Sequence, residues 1–252
     1  MRAARNIHGC SITPFSASIE AIWLVLVPEG FNIFDVADAV GKLGTVSTAT
    51  FLAAARDPAL IQDLDPKAET LEGYLFPNKY RVYRKTTARE ICRMMTNEFR
   101  TQWKSLAGAE NAAAKMHDTV TLASLVEREA RLPEERPRVA SVFQNRLRIG
   151  MRLQCDPTTV YAALLENRYR GVIHQSDLEN ANPYNTYQHA GLPPGPIANP
   201  GLSAIKAALS PEETSFLYFV ARADGSGGHT FSDSLQKHEA AVAQYHRATK
   251  SQ

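Results

Sequence analysis

The chain has 252 residues, of which 44% are hydrophobic and 21% charged, with a formal net charge of +2. That length can bury a core as one large or two modest domains, and the near-balanced charge gives no basic footprint for nucleic acid. Cys10, Cys92 and Cys155 are widely spaced and show neither metal-ligand spacing nor a disulfide framework.

Residues 1–24 form a poorly defined opening segment. Its positive charge is not followed by a signal-peptide pattern, and the apolar run at residues 21–27 has seven residues, too few to span a bilayer. As written, the chain is expected to be soluble. IWLVLV then reads as a strand, PEG as a turn, and the following stretch as an amphipathic helix with Ile33, Val36, Ala37, Val40 and Leu43 on one side. Ser47 or Thr48 is the expected cap of a second helix. ETLEGYLFPNKYRVYRKTT is rich in aromatic and β-branched residues and reads as extended structure around Phe76-Pro77. Within it, Glu72 is expected to cap or orient backbone. The next helix carries Ile91, Met94, Met95, Phe99 and Trp103 as a core stripe.

TLASLVEREA, residues 121–130, raises a question. On a helical wheel its apolar side chains cover roughly 220°, an arc that contains both Glu127 and Glu129, with Thr121, Ser124, Arg128 and Arg131 opposite. A carboxyl in such a place must be paired, hydrogen-bonded or kept protonated, and the last state donates protons near neutral pH. Glu127 also stands four residues before Arg131, a favourable ion-pair spacing, and the wheel does not rank the two glutamates.

ERPRVASVFQNRLRIG predicts another helix ended by Gly150, and DPTTVYAALLE one with Asp156 as N-cap and Pro157 at the first helical position. Residues 182–201 hold five prolines and three glycines, which impose a rigid loop without regular structure. SFLYFVARADGSGGHTFSDS predicts a β-hairpin, and KHEAAVAQYHRATK a final helix.

Several segments together carry a family resemblance: EGYLFPNKY, LASLVEREA, NRLRIGMRLQCDPTTVYA, NPYNTYQHAGLPPGPIANPG, LYFVARADGSGGHTFS and KHEAAV, in that order from VPEG onward. The chain resembles the YceG-like family of endolytic murein transglycosylases, the MltG type, over roughly residues 25 to 245. The resemblance implies an α+β fold, with a truncated LysM-like α/β subdomain at residues 25–85 and a mainly helical catalytic domain at residues 86–252 completed by the hairpin. Asn78 and Lys79 stand where the family favours Asp-Thr, a surface-like change. The membrane helix and fuller LysM-like region typical of the family are expected to be absent or cut short here.

By the same resemblance the substrate is the peptidoglycan glycan strand, cut internally between N-acetylmuramic acid and N-acetylglucosamine to leave a 1,6-anhydro end. The expected location is the periplasmic face of the bacterial inner membrane, beside cell-wall synthases. The family pattern places the proton donor at Glu127, with Glu129 organising the site. Gln154, Asp156, Tyr184, Asn185, Thr186, Tyr187 and Gln188 are the glycan-binding candidates, with His189 a weaker one. The competing role is capping for Asp156, turn hydrogen bonds for Asn185, Thr186 and Tyr187, and burial for the tyrosines. His189, His229 and His238 lack the ligand spacing of a metal site, so no metal and no cofactor are expected. Two rival functions remain at this stage: a muramidase-type hydrolase with Asp156 as second carboxylate, and a noncatalytic glycan-binding module.

Overall fold

Ile22, Leu24 and Leu26 alternate with Trp23, Val25 and Val27, and this two-residue period builds strand β1 (Ile22–Val27). The computed structural model describes residues 22–106 and 115–250, so Cys10 and nearly all of the opening segment lie outside the described residues. β1 pairs antiparallel with β2 (Asn78–Tyr83), Ile22 opposite Tyr83 and Val27 opposite Asn78. Helices α1 (Ile33–Gly41) and α2 (Thr48–Ala55) lie between the two strands in sequence. The Asn32 side chain caps α1 by accepting from the Phe34 and Asp35 amides, and Ser47 caps α2 through the Thr50 amide.

The extended reading around Phe76-Pro77 holds only for β2. Residues 70–75 turn instead, and Gly73 permits this with φ of +87°. A Cβ at Gly73 would stand 2.6 Å from Pro196 Cγ and 2.9 Å from Val120 Cγ1. Gly73→Ala therefore combines backbone strain with overpacking, and is expected to cost at least about 2 kcal/mol. Urea unfolding checks this: an unchanged midpoint would show that the turn yields.

Helix α3 (Ala88–Lys104) starts at a capping box made by Thr87 and Glu90 and buries Ile91, Met95, Phe99 and Trp103, with Met94 half-buried. α4 (Met116–Glu129) follows, then a short 3-10 turn at Pro133–Glu135 and α5 (Arg136–Arg148). Gly150 sits just beyond α5 with φ of +69°. α6 (Asp156–Leu165) begins one residue earlier than its sequence implies: Cys155 is the N-cap and Asp156 the first helical residue, so Asp156 is no cap. A single turn, α7 (Gln175–Leu178), precedes the proline-rich loop. Residues 182–201 contain neither helix nor strand. α8 (Leu202–Leu209), the antiparallel hairpin of β3 (Tyr218–Ala221) and β4 (His229–Ser232), and α9 (Leu235–Lys250) complete the α+β order.

One buried apolar cluster runs from Val25 to Ala208 and draws side chains from both sides of the expected boundary at residue 85. α4 lies at its centre, packed on α5, α6 and α8. Half of its supposed polar side is buried too: Thr121 and Ser124 have no exposed surface, whereas Arg128 and Arg131 are exposed. Ser124 resolves the polarity by donating to the Thr121 carbonyl and accepting from the Ile197 amide at 3.0 Å. The proline-rich loop thus covers a face that the wheel assigns to solvent. His117, at the start of α4, ties the loop to the N-terminal part of the chain. Its Nδ1 lies 2.8 Å from Asp65 Oδ2 and its Nε2 2.7 Å from the Pro194 carbonyl. Both partners are acceptors, so the ring that bonds them together is the imidazolium. The bond to Asp65 accordingly holds the His117 pKa above its ordinary value.

Candidate active site

Glu127 and Glu129 leave the last turn of α4 about 200° apart, so the fold gives them different neighbours. Glu127 points toward α5 and the start of α8, with its side chain only 5% exposed. Arg136 Nη2 donates to Glu127 Oε1 at 2.6 Å, and the Gly201 amide donates to Oε2 at 2.9 Å. Gly201 is the N-cap of α8, whose amide end favours negative charge. Arg136 also reaches Glu29 Oε2 at 3.4 Å. Burial pushes the Glu127 carboxyl upward, and Glu29 adds to this; the Gly201 amide, Arg136 and Arg128 pull the other way. The predicted partner Arg131 is not the one found. Arg136 replaces it because the 3-10 turn reverses the chain and sets α5 beside α4.

Glu129 points the other way, toward the start of α6. It is half-buried and accepts a hydrogen bond from the Cys155 thiol, Sγ to Oε1 at 3.2 Å. Burial raises its pKa to about 7, the Asp156 charge helps, and the thiol, Arg128 and Arg146 oppose the rise. No guanidinium or ammonium forms an ion pair with Glu129 among the described residues. At neutral pH this carboxyl exists in both protonation states, the condition for donating and then accepting a proton.

The glycan-binding candidates divide in the same way. Asp156 is exposed and accepts from the Tyr187 hydroxyl at 2.6 Å. Tyr187 is half-buried, and Gln154 is exposed with φ of +48°, its amide on the Thr186 carbonyl. Backbone and side-chain bonds thus gather Gln154, Asp156 and Tyr187 beside Cys155 and Glu129. Asn185 and Thr186 are different, being fully buried. The Asn185 amide donates to the carbonyls of Asp177, Leu178 and Asn180, and its oxygen accepts from Thr159 and the Tyr187 amide. Thr186 Oγ1 accepts from the Cys155 amide at 3.0 Å and shares a bond with Thr158. Both residues use their polar groups to fix the loop on α6 and have none left for a ligand, so the competing turn role is the one they fill. Gln188 is exposed, with Nε2 donating to the Leu178 carbonyl. Tyr184 is half-buried against Tyr161, ring centres 5.1 Å apart.

The three histidines without metal-ligand spacing have separate partners. His189 faces the Ala181 carbonyl, His229 the buried Glu135 carboxylate at 2.8 Å, and His238 the ring of Tyr218. Among the described residues no group of three or more His, Cys, Asp or Glu is disposed to hold a metal ion.

Glu72, expected to orient backbone, does so. It is buried, accepting from the Ile33 amide at 2.9 Å and from Asn199 Nδ2 at 3.1 Å. Asn199 also accepts from the Leu75 amide and donates to the Phe31 carbonyl. This network clamps the PEG turn, the 70–75 turn and the end of the rigid loop around the Glu127–Arg136 pair. Burial raises the Glu72 pKa to about 8 from an ordinary 4.5. The folded chain therefore holds a proton between these values that the unfolded chain has released, so the Glu72 contribution to stability falls as pH rises through the window. The expected slope from this one group is about 1.4 kcal/mol per pH unit. Glu72→Gln should flatten it, measured by urea midpoints from pH 5 to 8; an equal slope in both proteins would refute the assignment.

Sequence reasoning missed Arg136, Glu29 and Gly201 around Glu127. The only signals were PEG and a loop ending in NPG, neither of which marks contact with a helix about a hundred or seventy residues away in sequence.

The last turn of a buried helix, with one ion-paired carboxyl and one without an ion pair beside a polar strip, is the candidate site on an α+β scaffold. The pattern of the YceG-like family matches residues 11–244, and the chain belongs to that family. It is 36% identical over 239 residues to an endolytic murein transglycosylase of Bacillus subtilis, covering 88% of this chain and 64% of the relative. A protein of the same name from Streptococcus pneumoniae strain D39 is 30% identical over 244 residues, covering 87% of this chain and 44% of the relative. The chain thus spans less than two thirds of the length of these relatives. The crystal structure of a yceG-like protein from Listeria monocytogenes superimposes with a TM-score of 0.75 at 34% identity, over 86% of this chain and 75% of that one.

Proposed function

We propose that the protein is an endolytic peptidoglycan transglycosylase and that Glu129 is its acid–base. The observation that carries the assignment is the contrast at the end of α4: Glu127 is held between Arg136 and the Gly201 amide, whereas Glu129 has only a thiol partner and a pKa of about 7. This reverses the roles implied by the family resemblance in the sequence. Burial raises the Glu127 carboxyl too, but both of its oxygens are occupied, one by the Gly201 amide and one by a guanidinium at 2.6 Å that favours the ionised form.

In the reaction, neutral Glu129 protonates the oxygen that leaves C1 of N-acetylmuramic acid as the bond to N-acetylglucosamine breaks. The resulting carboxylate then takes the proton from the C6 hydroxyl as its oxygen bonds to C1. No water enters, the anhydro ring closes, and Glu129 ends protonated again. Gln154, Asp156 and Tyr187 face the glycan beside it, and Glu127 with Arg136 fixes the end of α4. Glycan strands are the substrate, the cell-wall side of the inner membrane the place of action, and the synthases the natural neighbours. The β1-α1-α2-β2 order with its antiparallel pair supports the LysM-like reading of residues 25–85. Among the described residues no helix is long and apolar enough to cross a membrane.

The names of the relatives support the substrate class, and the products test it. Mass spectrometry of un-crosslinked glycan strands after digestion is expected to show 1,6-anhydro-muropeptides. Reducing ends in their place would mean a hydrolase, and no cleavage a binding module. Because the acid must be protonated, kcat/KM is expected to fall as pH rises through about 7.

A further inference from the structure

The solvent face of the β1–β2 pair is apolar and basic at once. Ile22, Leu24 and Leu26 are 55%, 64% and 56% exposed, every second residue of one strand. A row of about 14 Å results at strand spacing. Directly opposite stand Tyr83, Arg81 and Lys79, all exposed, with Tyr83 at 41%. Cross-strand partners share a face, so each leucine has a long cation beside it. Arg84 and Lys85 continue the basic run and are also exposed. Neither strand contains an acid. Among the described residues none of these four cations forms an ion pair. The other face of the pair, with Val25, Tyr80 and Val82, is buried in the core, so the outer row contributes nothing to it.

We propose that this face docks on an anionic phospholipid surface, with Ile22, Leu24 and Leu26 among the acyl chains and Lys79, Arg81, Arg84 and Lys85 on the headgroup phosphates. Branched aliphatic side chains gain by leaving water, and lysine and arginine stems lie along apolar surface while their charged ends reach outward. Tyr83 suits the boundary between the two, with an apolar ring and a polar tip. A glycan is a poorer fit, since the aliphatic row offers it neither hydrogen bonds nor a flat aromatic platform. A second copy is disfavoured by charge: two such faces would bring eight cations together without an acid.

Flotation of the full chain with vesicles tests the proposal. Binding is expected to phosphatidylcholine vesicles containing phosphatidylglycerol and not to pure phosphatidylcholine, and to weaken as salt rises. Lys79→Glu with Arg81→Glu, and separately Leu24→Ser with Leu26→Ser, should each lower partitioning at least about tenfold with the melting midpoint retained. Absence of wild-type binding would overturn the proposal. So would equal binding by both variants, which would move the contact elsewhere, residues 1–21 included. A dimer in ultracentrifugation that the leucine variant dissolves would give the face to a second copy.

Discussion

Glu129→Gln is expected to lower kcat at least about a hundredfold, because it removes the proposed proton donor while keeping the side chain's shape. Stability should be unchanged or slightly higher above pH 7, since an amide need not ionise in a partly desolvated place. The Cys155 thiol still finds an oxygen acceptor. Glu127→Gln should behave in the opposite way: stability falls, and the remaining activity keeps its decline above about pH 7, because Glu129 is intact. Rates and melting curves for both variants separate the two readings. If Glu127→Gln abolishes anhydro products at an unchanged melting midpoint while Glu129→Gln stays active, the donor is Glu127 after all.

Arg136→Met should be the most destabilising change at the site. Arg136 and Glu127 are both buried, at 7% and 5% side-chain exposure, and the substitution leaves the Glu127 carboxyl with one backbone amide and the repulsion of Glu29. Loss of one partner from such a pair costs about 3–5 kcal/mol, whereas removal of both charges costs far less. The double variant Glu127→Gln, Arg136→Met is therefore expected to be more stable than Arg136→Met alone, because a neutral amide can still accept from Gly201. Urea midpoints across the double-mutant cycle measure this. Additive losses would mean that the pair contributes no coupling, and that Glu127 is held by the Gly201 amide alone.

Arg136 opens α5 directly after the 3-10 turn, and Gly201 opens α8 directly after the proline-rich loop, so the two connections converge on one glutamate. The YNTYQH end of the same loop, through Thr186 and Tyr187, is pinned to the start of α6 near the other glutamate. A loop that must hold two distant points of one site in register has a physical reason for its prolines, which remove the conformational freedom that would blur both.

Much of this was legible from local signals. The strand and amphipathic helix around PEG, the Ser47 cap, the core stripe of α3, the irregular course of residues 182–201, and the C-terminal hairpin and helix all follow from periodicity, capping and proline content. The α+β class follows from their order. Such signals act between residues a few positions apart, and the sequence carries them in full. Family membership was also readable, because several motifs recur in one order along the chain.

What the sequence did not contain was the partner of each polar group. A wheel places Glu127 and Glu129 in one apolar arc and Ser124 on the wet side. The fold instead gives Glu127 an arginine and a distant amide, Glu129 a lone thiol, and Ser124 a loop that excludes water. Asn185 and Thr186 look like ligands for a sugar until their donors and acceptors are seen to be taken by the chain itself. The protonation of a carboxyl depends on burial and on the nearest charge, and both are set by segments remote in sequence. Sequence alone determined which helix carries the two glutamates; only the tertiary structure decided that one of them is ion-paired to an arginine and the other bonded to a thiol, because both partners come from segments remote in sequence.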